Sequence, residues 1–228
     1  MILLDRLCND PNFYEKNNLS IVFWGGEPTI NIEFIKQIIA HTYKYNFVSY
    51  FLYSNGTLID KYKELINCIN HLNIKERFKI QLSYDGLPIH IDKRGNNINA
   101  IYDVANLLKD NNIDFSFKAT LTLDYINQLP KIWNSYLDLY NKFGNVVRYS
   151  PTIDTTCNED DLSKRFDDWK KSLIEIAKLE YKFIIEHNFP LMSWFNNRHG
   201  ICERQNAIHI HTDGGIYICH GCLYSKDS

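Results

Sequence analysis

The stretch Ile21-Val22-Phe23-Trp24-Gly25-Gly26-Glu27-Pro28-Thr29 runs four apolar residues into two glycines, an acid and a proline. This is the pattern of a buried strand that ends in a loop. Paired glycines let a ligand approach the backbone with no Cβ in the way, and Pro28 has no N–H to give a ladder. Glu27 is left at the strand's C-terminal end, where α/β folds bind their ligands. A carboxylate beside bare backbone suits a small zwitterion, because the acid can take an ammonium while the backbone edge pairs with other polar atoms. The same residues also read as a strand-to-helix turn whose glutamate caps the next helix.

Working outward, the same unit repeats. Strands are expected at Leu19–Trp24, Phe47–Tyr53, Phe78–Ser83, Phe115–Leu121 and Val146–Tyr149. Between them, helical spacing puts Phe34, Ile35, Ile38 and Ile39 on one face of a helix capped by Thr29 or Asn31. A second helix, capped by Asp60, carries Leu65, Ile66, Ile69 and Leu72, with Cys68 beside that face as a core residue. A third spans Ile98–Lys109 with Ile101, Val104, Ala105 and Leu108 inward. Asp124–Phe143 reads as a helix despite Pro130, and Asp160–Glu186 as a long one carrying Leu162, Phe166, Trp169, Leu173, Ile176, Ala177 and Leu179 or Glu180. Met1–Leu7 reads as the tail of a helix, and Cys8 has no cysteine near it. Strand–helix alternation predicts parallel pairing through right-handed crossovers.

At 228 residues and 45% hydrophobic, the chain can bury a substantial core, with one large domain and a small appendage. A net charge of −2 and the lack of a basic run argue against a nucleic-acid partner. No apolar run nears the roughly eighteen residues of a membrane span, and Met1–Leu7 lacks the plan of a signal peptide. A cytoplasmic protein is expected, in which cysteines act as ligands or catalysts more often than as disulfides. Three of the six cysteines, Cys202, Cys219 and Cys222, fall near the C-terminal end.

Four stretches, in order, resemble motifs of the radical S-adenosylmethionine (AdoMet) enzymes. Gly25-Gly26-Glu27-Pro28 resembles the GGEP motif, which in that family contacts the amino group of the cofactor's methionine part. Tyr53-Ser54-Asn55-Gly56-Thr57 resembles the TNG element and Ser83-Tyr84-Asp85-Gly86 the SxDG element. Cys202 to Cys219 resembles the opening of a SPASM domain, as in the anaerobic sulfatase maturases and other peptide-modifying members. The resemblance implies that Gly25, Gly26, Glu27, Ser54, Asn55, Ser83 and Asp85 lie at the cofactor. It further implies that Arg94, after His90 and Asp92, holds the cofactor's carboxylate, although here the arginine comes one residue early. A guanidinium fork suits that role because it donates two parallel hydrogen bonds. Each element also has a plain alternative. Asn55-Gly56 is a common turn, Ser83–Gly86 fits an Asx-type turn, and Arg94 fits a surface loop.

The C-terminal cysteines follow C-x11-G-x4-C, with Gly214 between Cys202 and Cys219. Ala207–His211 and Ile216–Cys219 read as strands joined by a turn at Asp213-Gly214-Gly215, and such a hairpin can bring two thiolates together. The resemblance implies an auxiliary iron-sulfur cluster there, with Cys222 adding a C-x2-C to Cys219. A structural zinc site formed with His211 or His220, and free thiols that hold no metal, are the other readings of the same residues.

The fold expected is a partial TIM-type (β/α) barrel lacking its first βα unit, over residues 1–190, followed by a cysteine-bearing β-hairpin that opens a SPASM-like domain over 191–228. In the family the missing unit carries the C-x3-C-x2-C loop of a [4Fe-4S] cluster, whose open iron binds AdoMet. No such spacing occurs here. The expectation is therefore a chain cut at both ends or a degenerate relative. The implied activity is reductive cleavage of AdoMet to a 5′-deoxyadenosyl radical for modification of a peptide or protein, with flavodoxin or ferredoxin as electron donor. A non-catalytic binding module of the same fold and a zinc-bearing α/β protein are the alternatives.

Overall fold

Five short runs that alternate at period two become five strands, and each pairs in parallel with the next. They are β1 (Leu19–Phe23), β2 (Val48–Ser54), β3 (Phe78–Ser83), β4 (Asp114–Thr122) and β5 (Val147–Thr152), in spatial order 1-2-3-4-5. The computed structural model describes residues 2–10, 19–144, 147–152, 159–192, 209–210 and 216–217. The chain divides into two units, Met1–Phe195 and Asn196–Ser228. Sequential parallel order with a helix in each crossover is the topology of a barrel opened along one side.

The helices are α1 (Ile2–Asn9), α2 (Ile32–Thr42), α3 (Ile59–His71), α4 (Ile89–Arg94), α5 (Ile98–Asp110), α6 (Leu129–Phe143) and α7 (Glu159–His187). The sheet face toward them is apolar. Tyr50, Leu52, Phe78, Ile80, Leu82, Phe115, Phe117 and Ala119 are buried there, against Ile35, Ile39, Leu65, Ile69, Ile101, Val104, Leu108, Ile132 and Tyr136. The helix α5 face is the one expected.

Elsewhere the helices depart from expectation for local reasons. Phe34 is 54% exposed, because α2 turns Ile32, Ile35, Ile38, Ile39 and Thr42 inward and Phe34 lies about 100° from Ile35. Helix α3 starts after Leu58, so Asp60 sits inside its first turn, paired with Lys63 at 2.9 Å. Tyr62 takes the inward place assigned to Leu72, which is only half-buried. Pro130 holds the start of α6 to Leu129, and the preceding Leu123–Gln128 forms a 3-10 turn instead of helix. On α7 the inward stripe passes through Ser172, Ile176, Glu180 and Phe183; Ala177 falls off it, and Phe166 is exposed, edge-on to Trp169.

Glu180 is a buried carboxyl in that stripe. It accepts hydrogen bonds from Trp133 Nε1 at 3.0 Å and from the backbone N–H groups of Leu191 at 3.0 Å and Met192 at 2.8 Å. Burial pushes its pKa up while these three donors pull the other way. The chain leaving α7 is thereby fastened back onto α6 and α7. In the second unit, β6 (His209–Ile210) and β7 (Ile216–Tyr217) pair antiparallel, His209 opposite Tyr217. The turn between them and Cys202, Cys219 and Cys222 lie outside the described residues. No helix among the described residues is long and apolar enough to cross a membrane.

Candidate functional site

The loops that follow β1, β2 and β3 emerge at the C-terminal edge of the sheet, and two carboxylates tie them down. Glu27 is the first. Its Oε1 accepts from Thr29 N at 3.1 Å, Thr29 Oγ1 at 2.5 Å and Ser54 Oγ at 2.8 Å, while Oε2 accepts from Asn55 N at 2.6 Å. It does cap the 3-10 turn Pro28–Asn31, and it also bridges the β1 loop to the β2 loop. With both oxygens turned toward its own chain, the carboxylate is a frame. What stands open is the backbone in front of it: a Cβ built on Gly25 or Gly26 would meet nothing within 4 Å. Gly25 needs its missing side chain, since its φ is +144°.

Ser54 and Asn55 complete this frame. Ser54 is buried, and its Oγ accepts from Gly56 N at 3.1 Å while donating to Glu27. Asn55 Oδ1 accepts from Thr57 N and Oγ1, an Asx turn. Gly56 presses on β3, where an added Cβ would lie 3.2 Å from Leu82 Cδ2. The Tyr62 phenol, wholly buried near Ser54 and Glu27, is pushed far up, first by burial.

Asp85 is the second tie, and its side chain is fully buried. Oδ2 accepts from Arg94 Nε at 2.5 Å, and Oδ1 from Thr120 N at 2.9 Å and more distantly from Arg94 Nη2 at 3.4 Å. The Asp85 N–H donates to His90 Nδ1 at 3.3 Å, so the ring proton sits on Nε2 and is donated to Asn97 Oδ1 at 2.7 Å. The Asp85 carbonyl accepts from Tyr136 Oη at 3.1 Å. Burial lowers the His90 pKa, and the ring stacks on Tyr84 at 5.2 Å. Gly86, at φ +82°, lets the loop press on α6, where a Cβ would come within 2.6 Å of Ile132 Cγ2.

The residues singled out in the sequence thus form two knots on one edge. Gly25, Gly26, Glu27, Ser54 and Asn55 make the first; Asp85, His90 and Arg94 make the second. Ser83 stands half-buried at the end of β3 beside the latter. Arg94, 34% exposed, turns Nε and Nη2 to Asp85, which leaves Nη1 as the part of its fork with no partner among the described residues. Sequence reading missed Thr29 as a partner of Glu27, and the Asn55 and Thr120 amides that donate to Glu27 and Asp85.

An iron-sulfur cluster needs converging thiolates. Among the described residues the cysteines are Cys8, buried on α1, and Cys68, half-buried on α3, and burial pushes both thiols up toward the protonated form. No three His, Cys, Asp or Glu side chains converge among the described residues. These residues do not fit a cluster. What the two knots leave open is the bare backbone of Gly25-Gly26 and, among the described residues, the Nη1 of Arg94.

No family model matches the sequence, and no curated protein does. Solved structures do. Native anSMEcpe with bound AdoMet superposes with a TM-score of 0.69 at 21% identity, over 95% of this chain and 63% of that one. Native anSMEcpe with bound AdoMet and Kp18Cys peptide gives 0.67 at 19% identity, over 96% and 64%. The complex with Cp18Cys peptide gives 0.67 at 19%, over 96% and 65%. The chain therefore spans just under two thirds of the length of these proteins. At such identities the likeness establishes the fold, and the chain is an α/β protein built on the same partial barrel as AdoMet-bound anSMEcpe.

Proposed function

We propose that this chain is the AdoMet-binding barrel of a radical enzyme that modifies a peptide or protein. The observation that carries the reading is the frame made by Glu27, which fixes the β1 and β2 loops so that bare Gly25-Gly26 backbone faces outward at the C-terminal edge. The fold supports it, since structures of this fold hold AdoMet and a peptide together. The Gly25-Gly26 carbonyls take the cofactor's ammonium, and Ser83 and the outer Arg94 donor take its other polar groups. Given one electron from an iron-sulfur cluster, which the described residues do not hold, bound AdoMet would supply the chemistry for removing a hydrogen atom from the substrate. The chain's own part is to hold, orient and shield. Glu27 does this indirectly, by keeping the glycine backbone in place. Cys202, Cys219 and Cys222 are our candidates for auxiliary-cluster ligands.

The test is a calorimetric titration of the full chain with AdoMet. Saturable binding at one site per chain is expected, together with a rise in Tm. The absence of both heat and a Tm shift at millimolar AdoMet would refute the reading.

A further inference from the structure

Helix α7 carries a stripe on each of two sides. The inward one passes through Ser172, Ile176, Glu180 and Phe183, all buried. At about 100° per residue, Tyr181 and Ile185 fall within about 20° of Ile174, and Phe183 lies straight across the helix from it. This outward stripe faces solvent: Ile174, Tyr181 and Ile185 are 52%, 66% and 67% exposed. Helices α3, α5 and α6 expose no large apolar side chain. A surface helix of a globular protein carries one apolar stripe, and a second marks a further surface that something covers.

The residues beside the outward stripe sort by chemistry. On one flank, about 60–120° around the helix from Ile174, stand Lys171, Lys182, Glu175 and Glu186, with Lys178 between them and the stripe. About 60–100° the other way stand Ala177, exposed, and Ile184 and Leu173, half-buried, so that flank extends the apolar surface. The charged flank is only loosely engaged. Lys171 Nζ lies 4.0 Å from Asp168 Oδ1 and Glu186 Oε1 3.9 Å from His187 Nε2, both at the surface. Pairs of that kind contribute little and leave the long side chains able to turn to another partner.

We infer that α7 is a dimer surface, pairing antiparallel with α7 of a second copy of this chain. The inference is independent of the cofactor reading. A two-fold axis crossing the helix between Leu179 and Glu180 sets Ile174 opposite Ile185 of the copy and Lys178 opposite its Tyr181, where the ammonium can lie over the ring. An antiparallel pair brings each flank against the same flank of the copy. Lys171 then comes within reach of Glu186, and Glu175 of Lys182, each twice over, while Leu173, Ala177 and Ile184 meet their counterparts. A parallel pair would set the charged flank against the apolar one and leave its charges unanswered. The order Lys171, Glu175, Lys182, Glu186 is thus complementary to itself in one direction only. Asp167 and Lys170, on the same side of α7, fall beyond the end of the copy's helix in this register. The paired span of about sixteen residues is about 24 Å long, small for a specific interface, so a dimer of micromolar affinity is expected.

The test is sedimentation velocity on the full chain from about 1 to about 200 µM, in reductant so that no disulfide joins two copies. Wild type should pass from monomer to dimer across that range. Tyr181→Lys should weaken the dimer about tenfold or more and leave the urea midpoint unchanged; Ile185→Lys, a second route should the first variant fold poorly, should do the same. Direction is read by charge reversal. Glu175→Lys alone and Lys182→Glu alone set like charges together and should each weaken self-association by about three- to tenfold. Mixed one to one, these two variants should recover wild-type association, because every reversed charge then meets its opposite on the other chain. A wild-type chain still monomeric at the highest concentration would overturn the inference, as would a dimer that survives both stripe substitutions. A mixture that associates no better than either charge variant alone would also overturn it.

Discussion

At the scale of single residues, the site turns on what Glu27 does with its oxygens. Four donors converge on it from Thr29, Ser54 and Asn55, and a carboxylate is the side chain able to accept them all. Glu27→Gln keeps the shape but must set an NH2 against either the Asn55 amide or the Ser54 and Thr29 donors. We expect it to lower stability by about 1–3 kcal/mol in urea unfolding and to weaken AdoMet binding in step, since the frame slackens. Unchanged stability would mean that Glu27 faces the ligand and not its own loops. The sequence made Glu27 conspicuous but assigned it to the ammonium, because the partners that claim it lie one strand away, at Ser54 and Asn55. Spacing along a chain does not report a bond between residues 27 apart.

At the scale of elements, the same limit applies to α4. Ile89–Arg94 is short and mixed in character, so no periodic signal marked it, yet it brings His90 and Arg94 to Asp85. Long amphipathic segments such as α5 were legible to within a residue of their ends because packing repeats their pattern many times over. The His90 ring is buried and neutral, accepting from Asp85 N and donating to Asn97. Its folded pKa is lowered by burial, so the unfolded chain takes up the proton first. The stability it contributes is whole above about pH 6.5 and falls as pH drops below that value toward the folded pKa. Between about pH 7.5 and 5.5 the urea midpoint of wild type should therefore fall more steeply than that of His90→Gln. Parallel slopes would mean that His90 takes up its proton alike in the folded and the unfolded chain.

At the scale of the whole molecule, parallel pairing was the most legible feature. Five alternating runs separated by helices call for a parallel sheet with right-handed crossovers, which a doubly wound order would satisfy equally; the barrel order 1-2-3-4-5 came from the motif resemblance alone. The face of each strand toward the helices could be read from its apolar residues. The outward stripe of α7 could not be told from core, since which side of a long helix is left uncovered depends on what packs against it. The motif glycines were legible for the opposite reason: Gly25 and Gly86 mark backbone conformations that hold wherever the loop ends up.

The central claim is that open Gly25-Gly26 backbone receives AdoMet. Gly26→Ala tests it most directly, because a Cβ there meets nothing within 4 Å and its backbone needs no positive φ, so the fold tolerates the methyl while a ligand seated on that backbone does not. The measurement is AdoMet affinity by calorimetry beside urea stability, in wild type and Gly26→Ala. The expected result is a loss of affinity of about tenfold or more with stability unchanged to about 0.5 kcal/mol. Wild-type affinity in a stable Gly26→Ala protein would contradict the claim.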